Sequence, residues 1–184
     1  MRISIALLSY DHGVIRMVID VLLEITEKDA LGRFRGEASE ISKFLKGYIN
    51  DFHHEKEERF LFPAVLRLDP AMDSDIRELV QDHAHAREVL KELGNSSEIN
   101  EGSKFKVLSK EIVEIMTAHI DKEEKDVFPR IELLLTPSED RAIYSATQVF
   151  ADGVFGPGYV RSSEKFAAKV QEKVLGADYY KKLA

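Results

Sequence analysis

The chain carries two copies of one helical pattern, and that repeat limits the folds open to it. In the first half Asp11-His12 is followed by Arg16, and His53-x-x-Lys56-Glu57-Glu58 runs into Leu61-Phe62-Pro63. In the second half Asp82-His83 is followed by Arg87, and His119-x-x-Lys122-Glu123-Glu124 runs into Val127-Phe128-Pro129. His83 follows His12 by 71 residues and His119 follows His53 by 66. Each half is thus one helix with a His and a second with His-x-x-x-Glu. Two such helix pairs make a bundle with a pseudo-twofold axis.

Apolar residues recur at three and four throughout, as in the stripe Leu7, Leu8, Val14, Ile15, Val18, Ile19, Leu22, Leu23, and no segment alternates like a strand. The spacing predicts helices at 8–31, 37–67, 71–93 and 103–135. Asp69-Pro70 ends the second, because proline disfavours a helical residue before it. Gly94-Asn95 ends the third, with a polar loop from Gly94 to Ser103. Short connections between long helices give an all-α, antiparallel up-down-up-down four-helix bundle over residues 1–135. Thr136-Pro137-Ser138-Glu139 is a capping box and opens a fifth helix at 137–151. A glycine-rich loop at 152–159 and a last helix at 163–174 complete an extension, 136–184, too short for its own core. It is expected to pack on the bundle or on a second subunit, which leaves a homodimer open. Tyr179 and Tyr180 are left unassigned.

Residues four apart on a helix stand one above the other, with Cβ atoms about 5–6 Å apart. His53 with Glu57, and His119 with Glu123, can therefore point inward together. With His12 and His83 the sum is four imidazoles and two carboxylates around two metal ions. Mixed nitrogen and oxygen ligation suits iron, manganese or zinc. Two non-haem irons with a solvent-derived oxo or hydroxo bridge fit best. A lone His-x-x-x-Glu is an ordinary accidental pair; its matched repetition is what accident does not explain.

The flanking residues read more plainly. Leu61, Phe62, Val127 and Phe128 are expected in the core, as an apolar lid over the ions. Pro63 and Pro129 should kink their helices. Asp11, Asp82, Arg16 and Arg87 read as supports rather than ligands. His54, His85, Glu58 and Glu124 are turned about 100° from a proposed ligand or face elsewhere, so the surface is their default place. Glu58 or Glu124 could still reach back to support a ligand. Tyr10 and Tyr48 are candidates for a hydrogen-bonding or redox-active tyrosine, with core packing the commoner role.

These motifs resemble the hemerythrin-like HHE cation-binding family, over about residues 8–135. The resemblance implies a four-helix bundle with a non-haem diiron centre. By motif position it implies His12, His53, Glu57, His83, His119 and Glu123 as ligands. Oxygen-carrying hemerythrins resemble this pattern but use a fifth histidine, in a His-x-x-x-His pair on the third helix. Here Arg87 stands four residues after His83, which argues against a transport role copied from those carriers.

Three functions follow as expectations. The first is a diiron protein that binds or senses O₂, NO or peroxide, or serves iron and oxidative-stress homeostasis. The second is an enzyme with catalase- or peroxidase-like activity. The third is a structural or zinc-bound partner module. A net charge of −7 argues against a nucleic-acid partner. The absence of cysteine removes disulfides, thiolate zinc and iron–sulfur ligation. Met1 to Leu8 is too short for a secretory segment and no run suits a membrane span, so a cytoplasmic protein is expected.

Overall fold

The computed structural model describes residues 1–98 and 102–176, with the side chains of residues 97 and 98 left aside. All regular structure among the described residues is helical. Helix α1 is Ile3–Glu27. Helix α2 spans residues 35–68 and is built from α-helical Arg35–Leu45, π-helical Lys46–His54 and Glu57–Leu61, and α-helical Phe62–Leu68. Helix α3 is Asp73–Glu98. Helix α4 spans residues 102–134, with π-helical Glu123–Val127 between α-helical Gly102–Lys122 and Phe128–Leu134. Helices α5 and α6 are Pro137–Val154 and Tyr159–Leu175.

The first four helices close a ring of contacts: α1 on α2, α2 on α3, α3 on α4, and α4 on α1. Their buried apolar residues fall into two clusters. One joins Val14–Ile25 of α1, Ala38–Phe52 of α2, Ala86–Leu93 of α3 and Phe105–Ile120 of α4. The other joins Ile5 and Leu8, Leu61–Val65, Ile76 and Leu79, and Val127–Ile131 of the same four helices. Between them lies a layer of buried polar side chains: Asp11, His12, His53, His54, Glu57, His83, His119 and Glu123. A polar layer flanked by apolar layers is dry on both sides, so each of its groups needs a partner.

The boundaries moved where tertiary contacts intervene. Helix α1 starts at Ile3 rather than residue 8, although Arg2 at its N-cap gives no side-chain cap. Asp140 of α5 supplies the cap instead: Ile3 and Ser4 N–H donate to its two carboxylate oxygens at 3.0 and 2.9 Å. Helix α3 runs through Gly94 to Glu98, with Leu93 buried in the core. Much of the expected 94–103 loop is therefore helix, and residues 99–101 lie outside the described residues. The expected capping box at Thr136 and Glu139 is present. The 152–159 loop contracts to residues 155–158, where Gly156 and Gly158 take φ of +84° and +85°, a turn favouring glycine.

Helices α5 and α6 both lie against α1 of the same chain. Ala151, Ala167 and Val170 join the larger apolar cluster, and Lys173 pairs with Glu37 of α2. Tyr179 and Tyr180 lie outside the described residues. No described helix is long and apolar enough to cross a membrane.

Candidate metal centre

The π-helical turns explain how the sequence builds this layer. Proline has no N–H, and its ring presses on the carbonyl four residues back. Ahead of Pro63 the ladder shifts by one residue: Phe62 N–H donates to Glu57 C=O. Ahead of Pro129 the same shift occurs: Phe128 N–H donates to Glu123 C=O. Each five-residue π turn starts at an inward glutamate, a common device at functional sites. The expected kinks at Pro63 and Pro129 thus take the form of π turns that set the glutamate backbone.

All six sequence-predicted ligands converge, each buried to within 2% of full exclusion. His12, His53, Glu57 and Glu123 place one ligand atom each within 4.8 Å of one another. Glu57, His83, His119 and Glu123 do the same. The two sets share both carboxylates, so the geometry is two histidine pairs flanking a glutamate pair.

The outer ring nitrogens define how the inner ones point. His12 Nδ1–H donates to Glu124 Oε1 at 3.0 Å, and His83 Nδ1–H to Glu58 Oε1 at 2.8 Å. Arg16 in turn holds Glu124 at 3.4 Å, and Arg87 holds Glu58. Asp11 Oδ2 stands 3.5 Å from His53 Nδ1, and Asp82 Oδ2 stands 3.5 Å from His119 Nδ1. In the neutral tautomer whose Nδ1 proton faces the neighbouring carboxylate, each Nε2 can turn a lone pair inward.

These nitrogens crowd together in pairs. Nε2 of His12 and Nε2 of His53 are 3.1 Å apart, and so are those of His83 and His119. The carboxylates of Glu57 and Glu123 have no well-aligned hydrogen bond; their nearest polar neighbours are the imidazole Nε2 atoms, with His12 at 3.1 Å from Glu123 Oε2 and His83 at 3.5 Å from Glu57 Oε2. Facing nitrogen lone pairs and orphaned buried carboxylates repel unless a positive charge lies between them. The donor set therefore fits cations on both sides of the glutamate pair.

The same crowding shifts the ionisation of these groups. Burial and the adjacent Glu123 carboxylate push Glu57 well above the usual range. Burial also opposes charge on Glu123, but His119 and His12 outweigh it and hold Glu123 down. Burial pushes the His53 imidazole down to about 3. Burial acts on His119 too, yet Glu123 and Asp82 raise it to about 9. Bound cations would replace these protons.

The chain belongs to the hemerythrin family. The match is to the hemerythrin HHE cation binding domain and covers residues 4–131. Comparisons with curated proteins and with solved structures gave no match. A hemerythrin-family chain is thus a cation binder by family, and its buried His and Glu groups are of the kind that can hold metal.

The supporting residues sort less evenly than the repeat suggests. Phe128 stacks on His12 with centroids 5.5 Å apart, and Phe62 on His83 at 5.9 Å. Glu58 and Glu124, assigned by default to the surface, reach back to the imidazoles. His85 is exposed and pairs with Glu111 at 2.9 Å. Tyr10 does not reach the ligands: it is 46% exposed. Tyr48 takes the supporting place instead, with its O–H donating to Asp11 Oδ1 at 2.9 Å. Asp11 also pairs with buried Lys56. Burial opposes the Asp11 charge, but Lys56 and His53 keep its carboxyl below the ordinary range. Asp11 and Lys56 form part of the wall of a cavity of about 530 Å³ between the bundle and helices α5 and α6, with Phe52 and Tyr159 among its other walls.

His54 corrects the sequence reading most. It was expected on the surface, one residue past a ligand. It is fully buried and stacks on His83, with centroids 3.6 Å apart and planes 11° apart. His54 ends the π-helical stretch Lys46–His54, but Ile120, one residue past His119, is equally buried within an ordinary α-helix, so the packing of neighbouring helices around this turn sets the burial. Two consecutive side chains then share the inner face.

Proposed function

We propose that the chain is a non-haem diiron protein that binds or senses a small oxidant such as O₂, NO or peroxide. Its framework in this reading is an up-down-up-down four-helix bundle over residues 1–135 with a helical extension at 136–184. The clustering of the first turns of α1 and α3 with the last turns of α2 and α4 supports the antiparallel order. One observation carries the metal reading: four imidazole nitrogens converge on two buried carboxylates that have no well-aligned hydrogen bond.

In this assignment His12 and His53 would hold one ion and His83 and His119 the other, with Glu57 and Glu123 within reach of both. Mixed imidazole and carboxylate ligation suits iron, with manganese and zinc as competitors. The irons supply a redox couple and Lewis acidity when bound. Asp11, Asp82, Glu58 and Glu124 fix the imidazole tautomers and raise ligand basicity. Arg16 and Arg87 brace the two outer glutamates. Phe62 and Phe128 keep bulk water from the histidine faces.

Catalase- or peroxidase-like turnover on the same centre is the second reading. It needs a polar group poised beside the substrate, and His54 is the observation that favours it. Protein from iron-supplied cells should carry about two irons per chain, measured by mass spectrometry of metals. Its reduced form should change its visible spectrum reversibly with O₂ or NO. Catalytic loss of peroxide would move the assignment to the second reading. Little iron, or one tightly held zinc, would sink both.

A further inference from the structure

The two halves of the metal layer are matched residue for residue except at one inner position. His54 in the first half corresponds to Ile120 in the second, each one residue past a ligand histidine. Both side chains are fully buried. The bundle thus accepts an apolar group at this position, and packing alone does not call for an imidazole.

His54 is nonetheless polar at both ring nitrogens, and neither nitrogen has a hydrogen-bond partner. A buried N–H left unpaired is costly, and so is a buried lone pair. One of these nitrogens lies within 4.8 Å of ligand nitrogens of His83 and His119. The free imidazole therefore borders the His83/His119 half of the centre.

Direct ligation alongside His83 conflicts with the stacking. An imidazole binds a metal in the plane of its ring. The His54 and His83 rings lie nearly parallel, 11° apart, with centroids separated by 3.6 Å. Two rings stacked in this way cannot both contain one ion in their planes. What His54 can offer is an N–H to a molecule that enters beside the ion.

We propose that His54 is a positioning residue that donates a hydrogen bond to a small exogenous ligand, and that the ligand enters at the His83/His119 half rather than the His12/His53 half. The chemical class is a small acceptor, an anion or a diatomic. The other half offers Ile120 at the matching place. This inference rests on the dinuclear reading above.

Azide is a suitable probe, because its infrared stretch and its visible charge-transfer band report both binding and hydrogen bonding. The iron-loaded protein is compared with His54→Ile, which installs the residue the matched position already carries, and with His54→Gln, which restores an N–H donor. Both variants should retain two irons per chain. His54→Ile should weaken azide about ten-fold, the worth of one hydrogen bond, and shift its stretch. His54→Gln should recover most of both. If His54→Ile binds azide with unchanged affinity and frequency, the proposal is wrong and the dinuclear reading stands. Loss of one iron in His54→Ile also overturns it, by making His54 a ligand. If the parent protein holds no iron, the dinuclear reading fails and this inference fails with it. Should His54→Ile not fold, His54→Gln against His54→Asn decides by the same azide shift.

Discussion

The two halves of the polar layer come from nearly the same local sequence and end in different surroundings. Asp11 is 2% exposed, covered by Tyr48 and Lys56, whereas the Asp82 side chain is 39% exposed. Lys56 turns inward to Asp11, whereas Lys122 turns out to Glu78. The difference follows from the extension, since α5 and α6 lie on α1, the helix that carries Asp11. Burial lowers the pKa of His53, whereas beside His119 the Glu123 and Asp82 carboxylates outweigh burial and raise it, although each histidine stands four residues before an inward glutamate. A repeat fixes which groups meet; its neighbours fix how they behave.

The largest effect should come from the groups the halves share. Glu123→Ala should lower affinity for both ions by more than about 100-fold, exceeding the usual cost of losing an outer support. His119→Ala should spare the ion held by His12 and His53. Metal content after dialysis separates the two variants, and two ions retained by Glu123→Ala would break the shared-carboxylate scheme.

The covered and open aspartates should differ next. Asp11→Ala strands the buried Lys56 ammonium and should cost about 3–5 kcal/mol in denaturant unfolding. Asp82→Ala removes a half-exposed group and should cost less than about 1 kcal/mol. Equal losses would show that the extension does not set the contrast.

One polar contact that joins the extension to α1 is made by Asp140. Asp140→Ala should cost about 1–2 kcal/mol, the worth of a helix N-cap. Burial opposes the Asp140 charge, but Ser4 and Ile3 donors outweigh it and lower its pKa. The folded pKa lies below the unfolded one, so this stability is full above about pH 4 and is lost as pH falls through the folded value. Asp140→Asn should remove that part of the acid dependence, and an unchanged melting profile between pH 5 and pH 2 would argue against the cap.

The smallest contrast should lie between the outer glutamates. Glu58→Gln and Glu124→Gln should each weaken metal binding by about 10-fold. Competition with a chelator measures both, and a large inequality would mean the pseudo-twofold fails at this shell.

The helical period and the repeated His-x-x-x-Glu were enough to place six side chains in one layer, because residues four apart share a helix face and matched helix pairs share a core. Capping chemistry at Thr136 was equally legible, since every partner lies within four residues. What the sequence could not announce depends on distant groups. The start of α1 depends on Asp140, which sits 137 residues from Ile3. Tyr48 supports Asp11 from another helix, while Tyr10, closer in sequence to a ligand, turns away. His54 enters the layer because the helices packed around this turn bury two consecutive residues, as they do at His119 and Ile120 in the other half. Local pattern fixes periodicity and therefore which groups are candidates. Only packing decides which donor finds which acceptor, and which half of a symmetric pattern is covered.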